Sequence, residues 1–167
     1  MKIILLVLLV VFPLAAQEVR DVKDSKLLMM GTGIWSIVRK KKVPCFQLEY
    51  RSDLALYKNK RILIRPLVGA MITSTISGYI YGGIAFECFF SPRIIFTPSF
   101  APGLYLKGKG LDLGHSIEFR SSAELAYRFE NCSRLGVMFN HLSNASLGKR
   151  RNPGTECLMF YYSFPLN

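Results

Sequence analysis

Between Ser116 and Phe129 the chain alternates in character residue by residue, and that alternation constrains the fold more than any other feature. Ile117, Phe119, Ala123, Leu125, Tyr127 and Phe129 share one parity with the small Ser121. Ser116, Glu118, Arg120, Ser122, Glu124 and Arg128 share the other. Successive side chains of a strand point to opposite faces, so this stretch is a strand with one apolar and one charged face. Two earlier stretches behave alike. Phe46, Leu48 and Tyr50 oppose Gln47, Glu49 and Arg51, and Ile62, Ile64, Val68 and Ile72 oppose Arg65.

Eight apolar stretches of strand size, each followed by turn residues, can be marked: Met30–Val38, Cys45–Asp53, Ile62–Thr73, Tyr79–Phe90, Ile94–Leu106, Ser116–Phe129, Arg134–Asn144 and Glu156–Phe164. There is no solenoid repeat and no low-complexity segment. The stretches are long for a soluble sheet and near the ~10 residues that a tilted membrane strand requires. A soluble sandwich also alternates, but here the charged faces mix both signs, which suits a small closed interior of paired Glu and Arg. Glu118, Arg120, Glu124 and Arg128 are therefore expected to line that interior and to pair with Glu49, Arg51, Arg65 or Glu87. An even strand count closes the sheet and removes the edges that lipid does not tolerate. The last stretch carries Phe160, Tyr161, Tyr162 and Phe164 close to the C-terminus, as terminal strands of outer-membrane proteins do. The expected fold is all-β, an eight-stranded antiparallel transmembrane β-barrel.

At 167 residues the chain holds one domain. Residues 1–16 read as an export signal: Met1-Lys2 supplies the positive start, Ile3 to Phe12 is unbroken apolar sequence, and Pro13-Leu14-Ala15-Ala16 supplies small residues for cleavage. The barrel is then expected over residues 17–167. The apolar run is too short to span a bilayer as a helix, and no later stretch reaches about 18 apolar residues. Cys45, Cys88, Cys132 and Cys157 are widely spaced without a CxxC, which argues against a zinc site and leaves their pairing open.

The formal net charge of +11 on a half-hydrophobic chain calls for an anionic, greasy partner. In an even-stranded bacterial barrel both termini are periplasmic, so connections 1–2, 3–4, 5–6 and 7–8 face outward. Arg39-Lys40-Lys41-Lys42, Lys107, Lys109 and Lys149-Arg150-Arg151 fall there, while Lys58, Lys60 and Arg61 fall on the periplasmic side. Outward basic loops suit the phosphates of lipid A in the outer leaflet, with Lys149, Arg150 and Arg151 as the foremost candidates. An exported barrel does not meet nucleic acid. Trp35 and the tyrosines are expected to be interface anchors.

The chemistry lies at the end of the last hairpin. Leu135, Val137, Phe139, His141 and Ser143 share one parity, and Glu156, Leu158, Phe160, Tyr162 and Phe164 share one on the partner strand. Both are the apolar, outward sets, so a His, a Ser and a carboxylate point at lipid, where ionisable groups are rare and usually functional. Together they are the parts of an acyl-transfer site: Ser attacks a carbonyl, His takes its proton and the acid orients the imidazole. Asn144, Asn152 and the backbone at Gly154 are candidate oxyanion donors. A headgroup-level Ser and His that merely tolerate water are the plain alternative.

His141-Leu142-Ser143-Asn144-Ala145 followed by Asn152-Pro153-Gly154-Thr155-Glu156 resembles the PagL-type lipid A 3-O-deacylases, eight-stranded outer-membrane barrels. The resemblance covers His141 to the C-terminus, with one residue more than the family pattern in the Gly148–Arg151 loop. It implies a serine esterase that needs no cofactor, with Ser143 as nucleophile, His141 as base, Glu156 as acid, and oxyanion support from Asn144 and the Asn152 segment. The implied partners are lipid A and the outer membrane, and the sequence leaves a homodimer open. His115 in its Gly-rich loop is a surface residue, and two histidines without an acidic cluster make a poor metal site. The rival function is a non-catalytic structural or adhesive barrel, which gives no reason for an outward His141 and Ser143.

Overall fold

The computed structural model describes residues 25–40, 42–147 and 152–166. The expected signal segment and Lys149-Arg150-Arg151 lie outside the described residues. The elements are β1 (Lys26–Trp35), β2 (Val43–Arg51), a two-residue β3 (Tyr57–Lys58), β4 (Ile62–Thr73), β5 (Gly78–Phe89), β6 (Ile94–Leu106), β7 (Ile117–Arg128), β8 (Arg134–Ser143) and β9 (Thr155–Leu166). Each long strand pairs antiparallel with its sequence neighbour, β1 pairs with β9, and β2 pairs with β4. The sheet thus closes on itself as an eight-stranded barrel, and β3 is a short flap on β4 that the sequence reading did not foresee.

Alternation puts the apolar set outside. Leu48, Val68, Ile80, Leu104, Leu125, Leu135 and Phe160 are all exposed. In water such a surface would be costly, but against acyl chains it is the matching one. No helix among the described residues is long and apolar enough to cross a membrane, and the strands do the crossing instead.

Inside, the polar set is packed and paired. Glu87 receives Arg65, Arg134 (2.9 Å) and Arg51 (3.5 Å). Glu49 receives Arg51 (2.8 Å) and Arg120 (2.9 Å). Glu124 pairs with Arg51, and the Arg120 guanidinium lies 4.2 Å from the centroid of the Tyr81 ring. Burying a charge is expensive unless it is paired and hydrogen-bonded, and this ladder supplies both conditions.

The expected interior pairing holds for Arg120 and Glu124 and fails for the other two. Arg128 is half-buried at the periplasmic rim, where its Nη2 donates to Cys132 Sγ. Glu118 is fully buried, yet both carboxylate oxygens lack a hydrogen-bond partner among the described residues. It sits at the extracellular end of β7, beyond the reach of the midplane arginines.

Three other expectations are corrected. Trp35 is no interface anchor: its parity is inward, and it is buried in the barrel mouth, stacked on Tyr105 with centroids 6.3 Å apart. Tyr79, Tyr81, Tyr105 and Tyr161 are buried inside with it. β1 also begins earlier than expected, because Leu27-Leu28-Met29-Met30 is apolar on both faces and hides its own alternation. It ends at Trp35 because Ser36 turns the chain with a φ of 60°. The Cys45 and Cys157 sulfurs lie 3.2 Å apart inside the barrel as thiols, with β1 between their strands.

Candidate active site

Strand register alone brings two of the three candidates together. His141 on β8 is directly opposite Glu156 on β9, and directly paired residues hold their Cβ atoms about 4.5–5.5 Å apart. The side chains close the remaining gap, with Nδ1 of His141 at 3.4 Å from Oε1 of Glu156. His141 is 44% exposed and Glu156 26%, so the pair stands on the outer wall. Below it Phe139, Val137, Leu158 and Phe160 continue the same outward faces as an apolar surface. With Nδ1 facing the carboxylate, Nε2 is the ring nitrogen turned to other partners.

Ser143 is the last residue of β8, half-buried, and shares the outward face with His141. Two residues along a strand span about 7 Å, so the imidazole must lean along β8 to meet the hydroxyl. On the other flank His141 is paired with Ser121 of β7, and Ser143 with Phe119. Ser121 is exposed and small, which leaves the wall beside His141 open.

Beyond Ser143 the chain turns sharply. Ala145 and Ser146 adopt positive φ values of 50° and 62°. Asn144, fully buried, organises this turn: its Oδ1 accepts from Ser146 N–H at 2.9 Å and its Nδ2 donates to Leu113 O at 2.8 Å. Its amide thus points inward, away from Ser143, and links the turn to the β6–β7 connection. The Asn144 N–H donates to Asn152 Oδ1 at 3.3 Å, which ties the two ends of the loop. Gly154 has a φ of 54° and runs so close beneath His141 that a Cβ there would be 3.3 Å from Cε1.

The first extracellular loop braces this segment from the side. Arg39 Nη2 donates to Pro153 O and to Gly154 O, both at 3.0 Å. Ser36 Oγ lies 3.1 Å from Thr155 Oγ1, and Ile37 N–H donates to Glu156 O. The sequence marked Arg39 only as one of a basic run. Nothing local in the sequence signals these contacts, which join residues more than a hundred positions apart.

Over residues 46–165 the chain matches the family model described as lipid A 3-O-deacylase (PagL). The chain belongs to the PagL family. The crystal structure of the outer membrane enzyme PagL superposes with a TM-score of 0.66 at 16% identity, covering 84% of this chain and 99% of that one. At that identity the likeness shows a shared barrel. The backbone structure of the Yersinia pestis outer membrane protein Ail gives a TM-score of 0.47 at 12% identity, covering 84% of this chain and 99% of that one. No curated protein matches the chain by sequence. As a PagL-family barrel the protein resides in the bacterial outer membrane.

Proposed function

We propose that this PagL-family chain removes the 3-O-linked acyl chain of lipid A as a serine hydrolase, with Ser143, His141 and Glu156 as its reacting groups. Ser143 Oγ attacks the ester carbonyl while His141 Nε2 takes its proton. Glu156 holds the ring by Nδ1 and supports the imidazolium. Collapse of the tetrahedral intermediate expels the sugar 3-oxygen, which leaves with the proton from His141. Water, activated by the same imidazole, then hydrolyses the acyl-serine to release the fatty acid. These steps call on side chains alone and on no second copy of the chain.

Oxyanion support falls to the loop around Asn144, Asn152 and Gly154. Asn152 is the best-suited side chain: with Oδ1 accepting from Asn144 N–H, its Nδ2 hydrogens are the ones left to donate. Asn144 serves by fixing the turn, and Gly154 by leaving room beneath the imidazole. Lys149, Arg150 and Arg151 supply attraction for the substrate phosphates.

The observation that carries this reading is the His141–Glu156 contact at 3.4 Å on the lipid-facing wall of a PagL-family chain. A structural barrel gains nothing from such a pair there. Mass spectrometry of lipid A from cells expressing the protein tests it: the parental chain shortens the acyl pattern and Ser143→Ala, shown to be folded, does not. Deacylation by Ser143→Ala at the parental rate would overturn the assignment.

A further inference from the structure

A second polar feature sits inside the barrel mouth, apart from the outer-wall residues. A cavity of about 230 Å³ is lined by Trp35, Ser36, Arg39, Thr75 and Lys109, with Val43, Gly110 and Leu111 completing the wall. Its lining includes two cations and no carboxylate. Trp35 is 2% exposed, and its Nε1–H has no hydrogen-bond partner among the described residues. A buried donor left unmatched costs free energy; several interior atoms share that condition among the described residues, but Trp35 is the one that lines a cavity with room for an acceptor.

The walls are held firmly. Thr75 Oγ1 is 2.9 Å from Thr73 Oγ1, and Lys109 N–H donates to Thr75 O at 3.0 Å. Gly110 is pressed so closely on Thr75 and Ser77 that a Cβ would lie 2.0 Å from Ser77 Oγ. Arg39 reaches the Pro153 and Gly154 carbonyls through Nη2, and among the described residues the rest of its donor fork has no partner. A rigid cavity with an unmatched indole N–H, a guanidinium and an ammonium suits a compact, multiply charged oxyanion.

We propose that this cavity is a phosphate-binding site at the extracellular mouth. The site stands on its own lining, while the lipid A headgroup as source of the phosphate rests on the hydrolytic reading above. Arg39 touches both the cavity and the segment leading to Glu156, so a bound phosphate anchors the substrate against the same loop that supports the acid.

Trp35 is the chain's single tryptophan, so its fluorescence reports the cavity directly. Full-length Ser143→Ala protein, folded in a phosphate-free detergent, is titrated at constant ionic strength with inorganic phosphate, with phosphorylated lipid A in mixed micelles, with dephosphorylated lipid A and with chloride. The first two should give a saturable change in Trp35 emission and the last two none. Lys109→Gln should raise the half-saturating concentration about fivefold. Lys107→Gln, outside the cavity and paired with Asp112 in the parent, should leave it unchanged. A response to free phosphate alone would support the site and overturn the headgroup as its source. Absence of a saturable response, an equal response to chloride, or an unaltered Lys109→Gln titration would overturn the site itself. Because binding is read on a variant designed not to turn over lipid A, an unchanged lipid A pattern in cells expressing the parental chain counts against the hydrolytic reading and leaves this result standing.

Discussion

At the scale of single residues, His141 is held from several sides on the outer wall. It faces Glu156 through Nδ1, Gly154 packs beneath it, and Ser143 follows on the same face. His141→Ala is expected to lower turnover at least about a thousandfold with the barrel intact, since members of such a unit act together. Glu156→Ala should be about two orders of magnitude less severe, because an orienting acid does not itself transfer the proton. Single-turnover deacylation assays with barrel folding checked by electrophoretic mobility would measure both. Gly154→Ala is a sharper probe. Its φ of 54° disfavours a side chain, and the added Cβ meets His141 at 3.3 Å. It should reduce kcat more than it raises KM, and equal turnover in the variant would count against His141 needing that position. The outward placement of these residues was legible in the sequence, because strand parity needs only the local pattern. Trp35 shows the converse: tryptophan's general preference for interfaces points outward, while its own strand parity points inward, and parity prevails.

At the scale of elements, the β8–β9 hairpin carries the proposed reacting groups, while the loop between β1 and β2 holds it in shape. Arg39 and Ser36 grip Pro153, Gly154 and Thr155 from across β1. Removing the guanidinium should let the segment before β9 loosen and draw Glu156 away from His141. Arg39→Ala is therefore expected to lower kcat roughly tenfold at unchanged thermal stability, and Arg39→Lys to restore little, since one ammonium cannot reproduce the fork. A parental kcat in folded Arg39→Ala would show that the hairpin is rigid without the brace. The strands and their order could be read from the sequence, but this brace could not. Alternation reports which way a side chain points, not which distant loop it meets. The two-residue β3 was missed likewise, being too short to show a period.

At the scale of the whole molecule, the interior ion ladder is what makes a charged core compatible with a membrane barrel. Glu87 is shared by Arg65, Arg134 and, at a longer 3.5 Å, Arg51, which also pairs with Glu49 and Glu124. Glu87→Ala leaves three guanidiniums around an empty position and should destabilise the barrel by about 3–5 kcal/mol, because breaking a buried pair strands its partners. Urea unfolding in micelles would measure this, and an undiminished midpoint would mean that the arginines find water or other acceptors. The sequence showed that the inner faces mix both signs. It did not show that Glu118 would stand outside the network, which depends on where strand stagger sets each carboxylate along the axis.

Beneath the cavity at its mouth the barrel is filled by its own side chains, and the proposed reacting groups stand on its outer wall. No substrate therefore threads a pore. The lipid arrives by sideways drift within its leaflet, and the encounter is one of surface density, not of volume concentration. Turnover should then fall when inert lipid is added at fixed amounts of enzyme and substrate, and a tracer assay in vesicles of increasing dilution would show it. The released acid stays in the same sheet as the remaining substrate, so the enzyme works in a medium that its own products steadily thin.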